Sequence, residues 1–142
     1  MNAFFDTSSL IKLYHSEKDS EAILSIFNNY NISAVTLSEI TKIEFNSTIW
    51  KKCRTKEVDI AIVKTLADSF SSDYSKYIFI PLNDKLIFLA HELIAKYGLL
   101  GLRTLDAIQL ASIVSHKNSI DFAVTSDSLL KSIILLEAIQ SI

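Results

Sequence analysis

The 142-residue sequence contains very little cysteine, glycine or proline. Its single cysteine, Cys53, excludes a disulfide framework and a zinc site built from several cysteines. Its two glycines, Gly98 and Gly101, and its one proline, Pro81, are too few for a P-loop, a dinucleotide-binding fingerprint or a Gly/Pro-rich linker. Function therefore has to come from other residue types.

The sequence also lacks an excess of charge and a long apolar run. Fourteen Lys and Arg residues stand against 16 Asp and Glu, a net charge of −2, whereas a nucleic-acid partner usually goes with a basic chain. The N-terminal segment reaches an acid at Asp6 before a signal sequence could form. Runs such as Ile133–Leu136 are far shorter than a membrane span of about 20 residues. We therefore expect a soluble, cytoplasmic protein.

Hydrophobic residues make up 49% of the chain, which excludes disorder of the polar, highly charged kind. The length suits one domain over residues 1–142. Short apolar runs at Ala3–Phe5, Tyr77–Ile80 and Phe122–Thr125 predict strands, and amphipathic stretches between them predict helices. This alternation indicates βαβ crossovers. We predict an α/β fold with a small, mainly parallel sheet sandwiched by helices.

One boundary in this layout rests on a helix-start motif. Asn31–Val35 is read as a brief strand, and Thr36 and Glu39 match the two ends of a capping box. The following helix is expected to run to Arg54, with basic residues at its C-terminus. On this interpretation Glu39 is a structural residue.

Three acidic residues fall at corresponding places in the predicted fold. Asp6 follows the first predicted strand, Asp127 follows the strand predicted over Phe122–Thr125, and Asp106 lies in the first turn of a helix. Such positions face the crevice at the carboxyl ends of parallel strands. Each has a structural alternative, because Asp6 and Asp127 suit N-caps and Asp106 suits the dipole of a helix start, worth roughly 0.3–1 kcal/mol.

A fourth acid, Glu44, borders the apolar stripe of its helix. It lies four residues after Ile40 and one after Ile43. A carboxylate in that position is partly desolvated, which costs free energy unless the group is paired or bound to a cation. The structural alternative is an ion pair with Lys42 or Arg103.

The four carboxylates together indicate more than each does alone. Like charges that meet at one crevice raise one another's pKa unless a cation neutralises them. Oxygen ligands without a Cys/His pattern select hard ions such as Mg²⁺ or Mn²⁺. Chemistry that uses such an arrangement is metal-assisted phosphodiester hydrolysis.

Four segments of the sequence resemble the motif blocks of the PIN domain family. These segments are Phe4–Tyr14, Leu37–Phe45, Leu102–Ala111 and Phe122–Asp127. The resemblance places the functional acids of the family at Asp6, Glu44, Asp106 and Asp127, and it leaves Glu39 outside the motif.

The order and spacing of the blocks resemble the VapC-like subgroup, the ribonuclease toxins of toxin–antitoxin pairs. This resemblance implies a Mg²⁺- or Mn²⁺-dependent endoribonuclease, a homodimer, and an antitoxin partner that blocks the site. It also implies that Asp6 and Asp106 are the principal metal ligands. Glu44 and Asp127 would complete the acidic pocket directly or through water.

Further roles are predicted for residues next to the acids in sequence. The hydroxyls of Thr7 and Ser126 are candidates for orienting the carboxylates, and Lys12 and Arg103 are candidates for contacting the substrate. The segment Leu129–Ile142 departs from the family pattern, because it contains no glycine for the turn that precedes a final strand. The sequence leaves that strand open.

Two other functions remain as alternatives. A PIN-fold chain could be a non-catalytic binding or scaffold protein, although the presence of all four acids favours catalysis. An α/β phosphotransfer protein with an Asp phosphoacceptor is a further possibility. The Asp-x-Asp arrangement of a haloacid-dehalogenase-type enzyme is absent here, since Ser8 stands two residues after Asp6.

Overall fold

The computed structural model describes residues 1–142 and has a four-stranded parallel sheet flanked by seven α-helices. The strands are β1 (Asn2–Phe5), β2 (Ala34–Ser38), β3 (Ile78–Ile80) and β4 (Phe122–Val124). The helices are α1 (Thr7–Tyr14), α2 (Ser20–Tyr30), α3 (Thr41–Arg54), α4 (Ile60–Ser72), α5 (Asp84–Tyr97), α6 (Thr104–Ser115) and α7 (Ser128–Leu136). None of the helices is both long and apolar enough to cross a membrane.

The first strand of the chain lies inside the sheet, whose strand order is β3-β2-β1-β4. Asn2 pairs with Ala34 of β2 on one side, and Ala3 pairs with Phe122 of β4 on the other. An inner strand of a parallel sheet is covered on both faces, which explains why β1 is a short, continuous apolar run. The residue that follows it, Asp6, emerges at the carboxyl edge of the sheet.

Successive residues of a strand point to opposite faces, and the core is accordingly divided in two. Phe4 packs on one face with residues of α5, α6 and α7, including Leu110 and Ile133. Phe5 packs on the other face with residues of α1 to α4, including Phe45. The prediction of an α/β fold with a small parallel sheet between two helical layers is confirmed.

The predicted capping box is wrong. Thr36 lies inside β2, and its hydroxyl donates to the Oδ1 of Asn2 at 2.8 Å. The strand predicted over Asn31–Val35 is shifted towards the C-terminus, and α3 begins at Thr41. The Glu39 carboxylate instead accepts a backbone N–H from the loop after β3. Pairing of β2 with strands on both sides outweighs the local cap signal, and a β-branched threonine is well suited to a strand.

The chain ends beside β4 in a single parallel bridge, which resolves the strand that the sequence left open. Ser141 bridges to Ala123, and the backbone N–H of Ala123 donates to the carbonyl of Gln140 at 2.8 Å. The turn that brings the chain back from α7 contains Ala138 with a φ of 59°. A non-glycine residue therefore takes the left-handed conformation that a glycine would adopt without strain.

Candidate active site

The four predicted acids line one cavity of about 150 Å³ at the carboxyl edge of the sheet. Asp6 and Asp127 follow β1 and β4, while Glu44 and Asp106 lie in the first turns of α3 and α6. The remaining lining residues are also polar, and none of them is a lysine or an arginine: Thr7, Ser8, Thr48 and Gln109. The fold therefore gathers negative charge at this edge without lining the cavity with cations.

Asp6 is almost completely buried and has hydrogen bonds to both carboxylate oxygens. Its Oδ1 accepts the backbone N–H of Ser9 at 2.8 Å, which makes Asp6 the N-cap of α1. Its Oδ2 accepts the hydroxyl of Thr125 at 2.6 Å, and the hydroxyl of Ser8 lies 2.8–2.9 Å from both oxygens. Burial raises the pKa of the Asp6 carboxyl above its ordinary value, and these hydrogen bonds oppose the rise.

Glu44 reaches the cavity from α3 and is held through one oxygen. Its Oε2 accepts the hydroxyl of Thr7 at 2.7 Å and the amide Nε2 of Gln109 at 2.5 Å, whereas no hydrogen bond reaches Oε1. Burial raises the pKa of Glu44. Neither predicted ion pair forms, because Lys42 pairs with Glu39 at 3.4 Å and Arg103 approaches Asp106 instead.

Asp106 and Asp127 differ in how firmly they are held. Asp106 accepts no hydrogen bond, and the nearest cation is Nε of Arg103, 3.9 Å from its Oδ2. Burial raises the pKa of Asp106, and the negative charge of Asp127 raises it further. Asp127 is the N-cap of α7, where its Oδ1 accepts the backbone N–H of Leu130 at 2.8 Å.

Only one of the two predicted hydroxyl donors contacts a carboxylate. The Thr7 hydroxyl donates to Glu44, as expected of an orienting group. The prediction for Ser126 is wrong, because its hydroxyl is 2.9 Å from the ammonium of Lys12 and 3.3 Å from the hydroxyl of Ser9. The preceding residue, Thr125, is buried and supplies the donor to Asp6.

The two predicted substrate contacts lie in different environments. The side chain of Arg103 is 84% exposed beside the cavity. The side chain of Lys12 is only 9% exposed, and its ammonium lies near Ser126 and 3.7 Å from Asp19. Arg103 is therefore open to a ligand from solvent, whereas Lys12 holds the turn after β4 in place. Their roles towards a substrate stay predictions.

Sequence reasoning did not single out Gln109. It is buried on α6, three residues after Asp106, so both side chains lie on the same helical face. The available signal was a polar residue inside an otherwise apolar segment, with Ala107 and Ile108 before it and Leu110 after it. The hydrogen-bond partners of Gln109 could not be predicted from neighbouring sequence, because they lie on α1 and α3.

The donor set has the chemistry of a site for a hard divalent cation. All the lining side chains offer oxygen or amide groups, and three of the carboxylates have raised pKa values that a nearby cation would lower. No group of three or more Asp, Glu, His or Cys side chains is arranged to hold a metal ion as it stands.

Sequence comparison identifies a known family over most of the chain. A sequence profile described as PIN domain matches residues 3–133. No curated protein is significantly similar to the chain in sequence. The match includes all four acids that line the cavity.

Several solved structures share the fold at low sequence identity. The Mycobacterium tuberculosis toxin VapC20, described as cleaving the sarcin-ricin loop, has a TM-score of 0.73 and 15% identity over 92% of this chain and 94% of its own. VapBC2 from Rickettsia felis, bound to a DNA fragment from its promoter, has a TM-score of 0.65 and 14% identity over 100% and 98%. A toxin–antitoxin complex from Klebsiella pneumoniae has a TM-score of 0.63 and 20% identity over 89% and 87%.

Proposed function

Because the chain belongs to the PIN domain family, we propose that it is a metal-dependent endoribonuclease and the toxin of a toxin–antitoxin pair. The observation that carries the proposal is the convergence of Asp6, Glu44, Asp106 and Asp127 on one polar cavity without lysine or arginine in its lining. We further propose that the cofactor is Mg²⁺ or Mn²⁺, that residues 1–142 act as one domain, and that the protein works in the cytoplasm.

The hydrogen bonds of the acids suggest which oxygens would be available to a cation. Both oxygens of Asp106, Oδ2 of Asp127 and Oε1 of Glu44 accept no hydrogen bond. Both oxygens of Asp6 already accept hydrogen bonds, from Ser8, Ser9 and Thr125, so Asp6 has fewer lone pairs left for a cation than the other three acids. A bound divalent ion would supply positive charge next to the charge that develops on a phosphodiester during hydrolysis.

The exposed guanidinium beside the cavity supports an RNA substrate. Arg103 lies one turn before Asp106 and has no strong ion pair, since its Nε is 3.9 Å from the Asp106 carboxylate. A guanidinium in this position can bind a phosphate through two parallel hydrogen bonds. Bound in this way, a phosphate of the RNA backbone would lie next to the acids, which would hold the cation.

Protein partners are supported by the surface and by the structural relatives. Large apolar side chains are exposed on α3, on α5 and just after α5, with exposed fractions of 71% for Ile43 and 64% for Phe88, and Leu99 fully exposed. Two of the structures similar in fold are described as a toxin–antitoxin complex and as VapBC2. We propose that this chain likewise has an antitoxin partner and forms a homodimer, and that these apolar residues lie at such contacts.

Replacing Asp106 with asparagine tests the proposed activity. Asp106 accepts no hydrogen bond, so Asp106→Asn removes a charge and weakens only the 3.9 Å contact with Arg103, whereas Asp6→Asn would also alter the cap of α1. We expect the variant to fold normally and to lose RNA cleavage by at least about 100-fold in the presence of Mg²⁺ or Mn²⁺. Cleavage of total RNA by the purified chain is the measurement.

The matched control is Asp68→Asn, which makes the same change on the exposed surface of α4. It should cleave RNA like the unaltered chain. Cleavage by Asp106→Asn at the rate of the control would contradict the proposed site. An unaltered chain that binds RNA and leaves it intact with either ion would favour the alternative of a non-catalytic PIN-fold binding protein.

A further inference from the structure

The side-chain amide of Gln109 is buried at the back of the acidic cavity. Only 3% of the residue is exposed. Its Nε2 lies 2.5 Å from Oε2 of Glu44, 3.1 Å from the hydroxyl of Thr7 and 3.2 Å from the hydroxyl of Thr41. One amide on α6 therefore connects α1 and α3 at the point where Glu44 enters the cavity.

The orientation of this amide is determined by the groups around it. An ionised carboxylate can only accept hydrogen bonds, so the Gln109 NH₂ group has to face Oε2 of Glu44. The Thr7 hydroxyl donates its single proton to the same Oε2 and accepts a hydrogen bond from Nε2 of Gln109. The network thus has a fixed direction, with Glu44 as its final acceptor.

The same orientation leaves a buried polar atom without a partner. The carbonyl Oε1 of Gln109 has no hydrogen bond although it is inaccessible to solvent. A buried acceptor without a donor is rare in folded proteins and costs stability. The position of the amide therefore satisfies the NH₂ group of Gln109 and leaves its carbonyl oxygen without a hydrogen bond.

The network holds only one of the two oxygens of Glu44. Two donors converge on Oε2, and Oε1 receives none. A carboxylate held in this way cannot rotate to exchange its oxygens without losing both hydrogen bonds. These two hydrogen bonds therefore favour the orientation in which Oε1 is the oxygen without a donor.

We propose that Gln109 is a positioning residue that fixes the Glu44 carboxylate so that its Oε1 remains available to a divalent cation. The inference rests on the proposed function only in taking the acidic cavity as a cation site. Thr7 and Thr41 assist by keeping the amide of Gln109 in one orientation. Gln109 touches neither cation nor substrate, and it acts through Glu44.

The test is the affinity of the purified chain for Mn²⁺, measured by calorimetry or by electron paramagnetic resonance without RNA. Gln109→Met keeps the length and volume of the side chain but removes both the donor to Glu44 and the unpaired carbonyl. We expect Mn²⁺ binding to weaken by about 10-fold or more, the usual loss when a residue that orients a metal ligand is replaced. We expect the melting temperature to change little, because removal of the buried, unpaired carbonyl offsets the loss of the hydrogen bonds to Glu44, Thr7 and Thr41.

The control is Ser112→Ala on the same helix. Ser112 is fully buried and donates to the hydroxyl of Ser38, away from the cavity. This variant should lower the melting temperature and leave Mn²⁺ affinity unchanged. Gln109→Met with the Mn²⁺ affinity of the unaltered chain would overturn the proposal.

A second pair of variants covers the case in which Gln109→Met does not fold. Thr41→Val removes one acceptor that orients the amide, and Thr41→Ser restores the hydroxyl. We expect Mn²⁺ affinity to fall in Thr41→Val and to recover in Thr41→Ser. Equal affinities in the two variants would count against the proposal. An unaltered chain that binds no Mn²⁺ would also count against it. An unaltered chain whose Mn²⁺ affinity falls on replacement of Gln109 but that cleaves no RNA would contradict the proposed function and leave this inference standing.

Discussion

At the scale of single residues, one acid can both cap a helix and line the acidic cavity. Asp6 and Asp127 are helix N-caps and also line the acidic cavity. In a parallel sheet each strand that ends at the carboxyl edge is followed by a helix start, so the capping position and the crevice position are the same place. Local patterns could therefore locate these two acids but could not choose between the two roles.

The contacts that organise the acids were beyond local reasoning. Thr125 donates to a carboxylate 119 positions away, and Gln109 donates to a threonine 102 positions away. Such pairs depend on which side chains the fold brings together, and neither periodicity nor spacing encodes them. The same limit explains why Thr125, and not the predicted Ser126, donates to a carboxylate.

The raised pKa of Asp106 predicts a stability effect at this scale. A carboxyl whose pKa is higher in the folded than in the unfolded state carries no penalty below its unfolded pKa. The penalty grows as pH rises from that value through the folded pKa, and it is complete above it. Burial therefore makes ionised Asp106 destabilising at neutral pH when no divalent ion is present.

We accordingly expect Asp106→Asn to raise the melting temperature at pH 7 in EDTA. The gain should shrink as pH falls and disappear below the ordinary Asp value of about 3.9. Thermal unfolding of both chains across this pH range is the measurement, with Asp68→Asn as the control for loss of a surface charge. A lower melting temperature for Asp106→Asn at pH 7 would show that the burial penalty is not the dominant effect.

At the scale of elements, the strands and helices follow from the apolar pattern, but one boundary does not. The segment around Thr36 satisfies a helix-start motif and nevertheless forms β2. Its backbone pairs with β1 and β3 at once, and this tertiary gain exceeds the roughly 0.5–2 kcal/mol that a good cap contributes. Correct identification of an inner strand required knowledge of the strands on either side.

The turn after α7 gives a prediction for an element. Ala138 is exposed and has a φ of 59°, a conformation that costs a non-glycine residue roughly 1–2 kcal/mol. Glycine removes this strain but has more freedom to lose on folding, worth about 0.4–1 kcal/mol. We therefore expect Ala138→Gly to raise the free energy of unfolding by about 0.5–1 kcal/mol, as measured by denaturant titration.

The opposite change is the control for this position. Ala138→Val puts a β-branched side chain at positive φ and should lower the free energy of unfolding. A stabilising Ala138→Val, or a destabilising Ala138→Gly, would mean that contacts of the alanine methyl group outweigh backbone strain in this turn.

At the scale of the whole molecule, charge is distributed unevenly. Setting aside Asp6, Glu44, Asp106 and Asp127 leaves 12 acids against 14 bases, so the rest of the chain is slightly basic despite the net −2. The fold class and the four acids of the cavity could be predicted from the sequence, whereas Gln109 and the hydrogen-bond network that supports the acids could not. The near-neutral net charge of the chain therefore gives no sign of the negative charge concentrated in the acidic cavity.

This charge distribution predicts that divalent ions increase the stability of the whole fold. A ligand that binds only the folded state stabilises it by RT ln(1 + [L]/Kd), about 2.7 kcal/mol at 100 times Kd. We expect millimolar Mn²⁺ or Mg²⁺ to raise the melting temperature of the chain and EDTA to abolish the gain. Asp106→Asn should reduce the gain, and an equal response in that variant would place ion binding elsewhere on the molecule.

The inner position of β1 has a consequence for how the protein is made. β1 is synthesised before the other three strands of the sheet, yet one of its two neighbours is β4, the last of the four in chain order. Asp6 accepts a hydrogen bond from the hydroxyl of Thr125, and Asp127 lines the cavity, so both late residues are needed to complete it. Because these long-range contacts form only once the late residues have been synthesised, the acidic cavity cannot assemble on a nascent or prematurely terminated chain. Any activity of the cavity is thereby delayed until Thr125 and Asp127 have been synthesised.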